Sequence, residues 1–111
     1  MLKIKTPDFE IGNKRNFTFQ EMMGYTEKME ANEFQNIPKS FDYILYDADE
    51  DTDIIEATYV VNDGYRNIYD HTKEILKNVK VDSEDMKAIK RQYLKELDVV
   101  AQKFKSQTES D

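Results

Sequence analysis

Cysteine and tryptophan are absent from the 111-residue chain, histidine occurs once, and there are three glycines and two prolines. Without cysteine there can be no disulfide framework, no thiol nucleophile and no Cys-ligated zinc site. One histidine, His71, with no second histidine and no cysteine beside it, argues against a transition-metal site and fits a structural role on a helix. No apolar run approaches the roughly 18 to 20 residues needed to cross a bilayer. The first residues, MLKIKTPDFEIGNKR, interleave charge with apolar side chains and contain no signal-type apolar stretch. A soluble, cytoplasmic protein is therefore expected. The sequence contains no G-x-S-x-G, P-loop, G-x-G-x-x-G or H-E-x-x-H signature, so neither an enzyme nor a cofactor-binding protein is expected.

What the chain does contain is acid, concentrated in one place. Its net charge is −7, from 23 acidic and 16 basic residues. Between Ser40 and Tyr65 lie eight carboxylates (Asp42, Asp47, Asp49, Glu50, Asp51, Asp53, Glu56 and Asp63) and no Lys or Arg, so the remainder of the chain is nearly neutral. Such a balance disfavours direct binding to nucleic acid or anionic membrane, since like charges repel, and favours a basic protein partner.

The acidic block falls between two segments with strand character. Phe41 to Asp47 and Ile54 to Val61 are rich in aromatic, aliphatic and β-branched residues, and Ala48 to Asp53 between them is polar and of hairpin-loop length. This predicts a β-hairpin over residues 41–61. A competing pattern exists: Ile54, Thr58, Val61, Tyr65, Ile68, Thr72, Ile75 and Val79 recur at four- and three-residue steps, the signature of one continuous helix. The turn pair Asp63-Gly64 and the five β-branched residues in Ile54–Val61 weigh against it.

Elsewhere, Leu2 and Ile4 alternate with Lys3 and Lys5, and Phe17 resumes the alternation after a Gly12-Asn13 turn, which predicts a small N-terminal hairpin. Thr18 and Glu21 have capping-box spacing, so a helix is expected from Phe19 to about Phe34 with Phe19, Met22, Met23, Thr26 and Met29 on its apolar face. A second helix is expected over 66–79. A third, opened by Asp82-Ser83 and running from 83 to about 105, carries a stripe of Met86, Ile89, Tyr93, Leu97, Val100 and Phe104. The six polar residues 106–111 read as a disordered tail. The expected architecture is a single α+β domain, residues 1–105, with a small antiparallel sheet packed against three helices.

Three functional readings attach to these patterns. Asp47, Asp49, Asp51 and Asp53 have the oxygen-ligand spacing of a calcium loop, but Thr52 stands where the loop needs glycine and Thr58 where it needs a bidentate glutamate, so no metal site is expected. In an extended strand, the same four aspartates would form a row about 6.6 Å apart, a pitch like that of successive phosphates. That row, with Asp42, Glu50, Glu56 and Asp63 around it and Tyr43, Tyr46, Tyr59 and Tyr65 as anchors, suggests a small inhibitor that imitates a nucleic-acid backbone and occupies a nucleic-acid-handling protein. The alternative is an assembly or structural factor that forms homo-oligomers through Tyr93, Leu97, Val100 and Phe104 of the last helix. The usage, heavy in Lys, Asn, Ile, Asp, Glu and Tyr, is of the kind found in AT-rich bacterial and phage genomes.

Overall fold

The structure, a computed structural model, describes residues 1–34 and 38–109. Four antiparallel strands, β1 (Leu2–Lys5), β2 (Asn16–Thr18), β3 (Ser40–Asp47) and β4 (Thr52–Val60), form one sheet in the order β2-β1-β3-β4. Three helices, α1 (Phe19–Glu30), α2 (Ile68–Asn78) and α3 (Glu84–Glu109), complete the α+β fold. Among the described residues, no helix is long and apolar enough to cross a membrane.

Pairing register decides which strand residues reach the core. Ile4 opposes both Phe17 and Leu45, Leu45 opposes Ile55, and Phe41 opposes Tyr59. All of these side chains lie on one face, where they are buried with Tyr43 and Leu2 against the helices. Each such apolar side chain contributes about 1.5–3 kcal/mol through removal from water. The opposite face carries the alternate residues, among them Lys3, Lys5, Asp42, Glu56 and Thr58, and is polar.

The hairpin over 41–61 is present, and the continuous helix over 53–79 is not. Strand β4 ends at Val60, and the chain turns through Asn62 and Gly64, both with positive φ (66° and 95°), before Asn67 caps α2 by accepting from the Tyr69 N–H at 2.8 Å. A helix cannot run through two such backbone conformations, and the β-branched residues gain more by pairing with β3.

Helix α1 opens on the capping box, with the Glu21 N–H donating to Thr18 Oγ1 at 3.0 Å and the Thr18 N–H donating to the Glu21 carboxylate at 2.9 Å. Its buried residues are Phe19, Met22, Met23, Thr26 and Met29, the face the periodicity predicts. It ends at Glu30 instead of continuing to Phe34, because Asn32 takes a left-handed conformation (φ 57°) and the Glu33 N–H folds back to the Lys28 carbonyl at 2.9 Å. Residues 35–37, where the expected link to Pro38 falls, lie outside the described residues. Thr26 ties α1 to α2: its hydroxyl donates to the Met22 carbonyl at 2.8 Å and accepts from the Ile68 N–H at 2.9 Å.

Helix α3 begins after Ser83, whose Oγ accepts from the Met86 N–H at 3.1 Å. It runs to Glu109, four residues beyond the expected end, so the first part of the polar tail is helical; the last two residues of that tail lie outside the described residues. No glycine or proline interrupts α3, and Phe104 anchors its far half beside Gly24 of α1.

Candidate functional site

The tip of the β3–β4 hairpin shows how the acidic block is built. Asp47, at the end of β3, turns inward and is buried. Its Oδ1 accepts from the backbone N–H of Asp49 at 3.0 Å and of Glu50 at 3.4 Å, which closes the four-residue turn, while Asp51 takes the left-handed conformation (φ 50°). The N-terminal ammonium of Met1 pairs with Asp47 at 3.4 Å and with Asp49, and the Tyr93 hydroxyl donates to Asp47 Oδ2 at 3.3 Å. Desolvation would raise the Asp47 pKa, but the two backbone N–H donors and the ammonium outweigh it and hold the carboxyl below its ordinary value.

The four aspartates therefore do not form a row. Asp47 points into the fold, Asp49 is held by the chain terminus, and Asp53 pairs with Lys5 at 3.1 Å on the polar sheet face. The spacing that predicts a phosphate-like pitch holds only in a continuous strand, and here it spans a reversing turn. Among the described residues, no group of three His, Cys, Asp or Glu side chains is arranged to hold a metal ion. Of the remaining carboxylates, Glu50 and Asp51 are exposed at the tip, Asp42 and Glu56 stand on the polar sheet face, with Asp42 accepting from the Thr58 hydroxyl at 2.5 Å, and Asp63 lies in the turn after β4.

The tyrosines expected as anchors are also redistributed. Tyr43 and Tyr59 are core residues and offer no surface. The Tyr43 hydroxyl meets His71 Nδ1 at 2.8 Å and Thr72 Oγ1 at 2.9 Å, and that of Tyr59 donates to Glu30 at 2.7 Å. Tyr46 lies on the polar sheet face, beneath the Lys5 ammonium 4.5 Å from its ring centre, and donates to Asn16 at 2.6 Å. Tyr65 is half-buried, with its ring edge on His71 and its hydroxyl donating to Glu74 at 2.9 Å. The lone histidine is thus structural, and burial holds its pKa below the ordinary value against the opposing charges of Glu74 and Asp63.

The expected oligomerisation stripe is likewise used inside the molecule. Leu97 is fully buried, Tyr93 reaches Asp47, and Val100 and Phe104 pack against the core. What α3 leaves exposed is a neighbouring stripe. Met86 is 52% exposed, Ile89 50% and Val99 44%.

These side chains line two grooves. The first, about 520 Å3, lies between the hairpin tip and the N-terminal half of α3; Ile54, Ile55, Met86, Ile89 and Tyr93 make it apolar, and Asp47, Glu50 and Asp53 stand on its hairpin side. Lys90, the cation in its wall, is committed to the C-terminal carbonyls of α2, donating to Val79 at 2.7 Å and Lys77 at 2.8 Å. The second groove, about 450 Å3, lies between α3 and the start of β1 and α1, with Met1, Leu2, Phe19, Val99 and Val100 in its walls beside Lys95, Glu96 and Lys103. Gln92 lines both, so the two adjoin along α3. Among the described residues, four of the five exposed large apolar side chains, all but Val60, fall in this trough, a concentration that marks contact surfaces more often than chance exposure. The sequence supplied Met86 and Ile89 as stripe members but gave no sign that they stay uncovered while Leu97 does not.

The chain matches no protein-family model, and comparison with curated proteins and with solved structures finds no relative.

Proposed function

We propose that this chain is a non-enzymatic protein-binding module of the cytoplasm, and that its contact surface is the trough along α3 with the acidic hairpin tip at one end. The observation that supports this is the coincidence, in one groove, of the half-exposed Met86 and Ile89 with Glu50 and Asp53. Apolar floor supplies affinity through burial, and the rim carboxylates, Glu50 without an ion pair among the described residues and Asp53 beside Lys5, select a cationic partner. A lysine- or arginine-bearing amphipathic helix has both features. The bent course of Asp47, Asp49, Asp51 and Asp53 removes the geometric argument for a nucleic-acid-handling target, and the reading does not depend on one.

A second reading, an assembly factor that oligomerises through its last helix, is favoured by the exposure of Val99 beyond the hairpin groove. It would act through Met86, Ile89 and Val99, not through Leu97.

The test is fluorescence anisotropy with a labelled synthetic helix that bears lysines beside a leucine stripe. Binding should weaken steeply as salt rises, disappear in Ile89→Asp, and fall in a Glu50→Lys, Asp53→Lys variant whose circular dichroism is unchanged. Binding that ignores all three changes refutes the reading.

A further inference from the structure

The exposed side of α3 reads the same from both ends in a complementary sense. Asp85, Ile89, Gln92, Glu96, Val99 and Lys103 recur at steps of four, three, four, three and four, the spacing of one helical seam. Among the described residues, none of these six side chains is held in a hydrogen bond or ion pair within the chain. If a second α3 is laid antiparallel against this seam and centred on residue 94, Asp85 faces Lys103, Ile89 faces Val99 and Gln92 faces Glu96, and the second half of the seam repeats the same three pairings. Acid thus meets base, apolar meets apolar, and amide meets carboxylate.

From these pairings we infer that the occupant of the trough is a second copy of this chain, docked through an antiparallel α3–α3 pair about a two-fold axis near residue 94. An isologous contact of this kind requires a self-complementary patch, and the order of residues along the seam meets that requirement. The docked helix lowers Val99 and Lys103 of one copy onto Ile89 and Met86 of the other, beside Glu50 and Asp53 of the hairpin. The cationic partner called for by the groove is then α3 itself. This inference rests on the binding-module reading and specifies its partner.

The absence of native cysteine makes cross-linking a clean test of register. Ile89→Cys and Val99→Cys variants of the full chain are prepared separately, mixed and oxidised. The antiparallel register predicts that 89–99 disulfides dominate, because like positions sit about 15 Å apart along the pair, from ten residues at 1.5 Å each, while a disulfide spans Cα atoms about 6 Å apart. Sedimentation equilibrium of the native chain should show a monomer–dimer system, with the dissociation constant raised ~10-fold or more in Val99→Glu. Asp85→Lys and Lys103→Asp should each weaken the dimer and together restore it. A chain that is monomeric throughout, or that forms 89–89 and 99–99 cross-links as readily as 89–99, overturns the proposal. If such a monomer still binds the lysine-bearing helix through Ile89, the groove reading survives and only self-pairing is rejected; if it binds neither, both are rejected.

Discussion

The Tyr43 hydroxyl of β3 stands 2.8 Å from Nδ1 of His71 on α2, in the middle of the core, and 2.9 Å from the Thr72 hydroxyl. Three polar side chains buried between sheet and helix thereby satisfy one another, and they fix the rotation of α2 on the strand. Tyr43→Phe keeps the ring but strips both neighbours of a partner. It should destabilise the protein by about 1–3 kcal/mol in urea titration, the cost of orphaned buried polar groups. A loss well under that range would show that the hydroxyl is not holding the pair.

Burial keeps His71 neutral and its pKa below 6.5, with Glu74 and Asp63 acting in the opposite direction. The unfolded chain, whose histidine titrates near 6.5, binds the proton first. The stabilisation is therefore complete above about pH 6.5 and is lost as pH falls through the folded-state value. Urea midpoints measured from pH 7.5 to 5 should decline in the native chain more than in His71→Gln. Parallel profiles would contradict the assignment.

Asp47 holds the hairpin turn, the chain terminus and Tyr93 of α3 together. Asp47→Ala should speed amide hydrogen exchange at Asp49 and Glu50 and cost about 1–3 kcal/mol, without reaching the α1 capping box around Thr18. Unchanged exchange at the two turn amides would mean that the turn closes without the carboxylate.

Leu97 and Val99 are two residues apart on α3 and should behave oppositely. Leu97→Ala should cost about 2–5 kcal/mol, as for any buried leucine truncated in a packed core, with association unchanged at concentrations where the protein stays folded. Val99→Glu should leave the thermal midpoint nearly in place at concentrations where the native chain is monomeric. A Leu97 variant that is stable but fails to associate would return the oligomerisation surface to the stripe the sequence suggested.

Much of the fold was legible from residue order. Thr18 and Glu21 marked the start of α1 because capping is local chemistry, and the α1 face from Phe19 to Met29 follows from helical periodicity alone. Strand β4 could be favoured over a helix because Asp63-Gly64 is a turn pair and Ile54–Val61 is rich in β-branched residues. Asn32 as the stop of α1 was a readable signal, since asparagine tolerates the left-handed conformation. The site was less legible. Whether Asp47 faces water or the turn, and whether Tyr43 and Tyr59 face solvent or helices, depends on which side of the sheet the helices cover, and that is settled by long-range packing. The same holds for α3: its apolar stripe was wide enough to supply both Leu97 for the core and Ile89 for the surface, and spacing alone does not say which is which.

We propose the trough along α3 as the surface through which this protein meets a partner. Amide chemical shifts of the 15N-labelled chain, followed during titration with the lysine-bearing synthetic helix, test it residue by residue. The largest changes should fall at Ile54, Met86, Ile89 and Gln92 and fade with added salt. Changes confined to Asp42, Glu56 and Thr58 on the polar sheet face, or none at all, would contradict it.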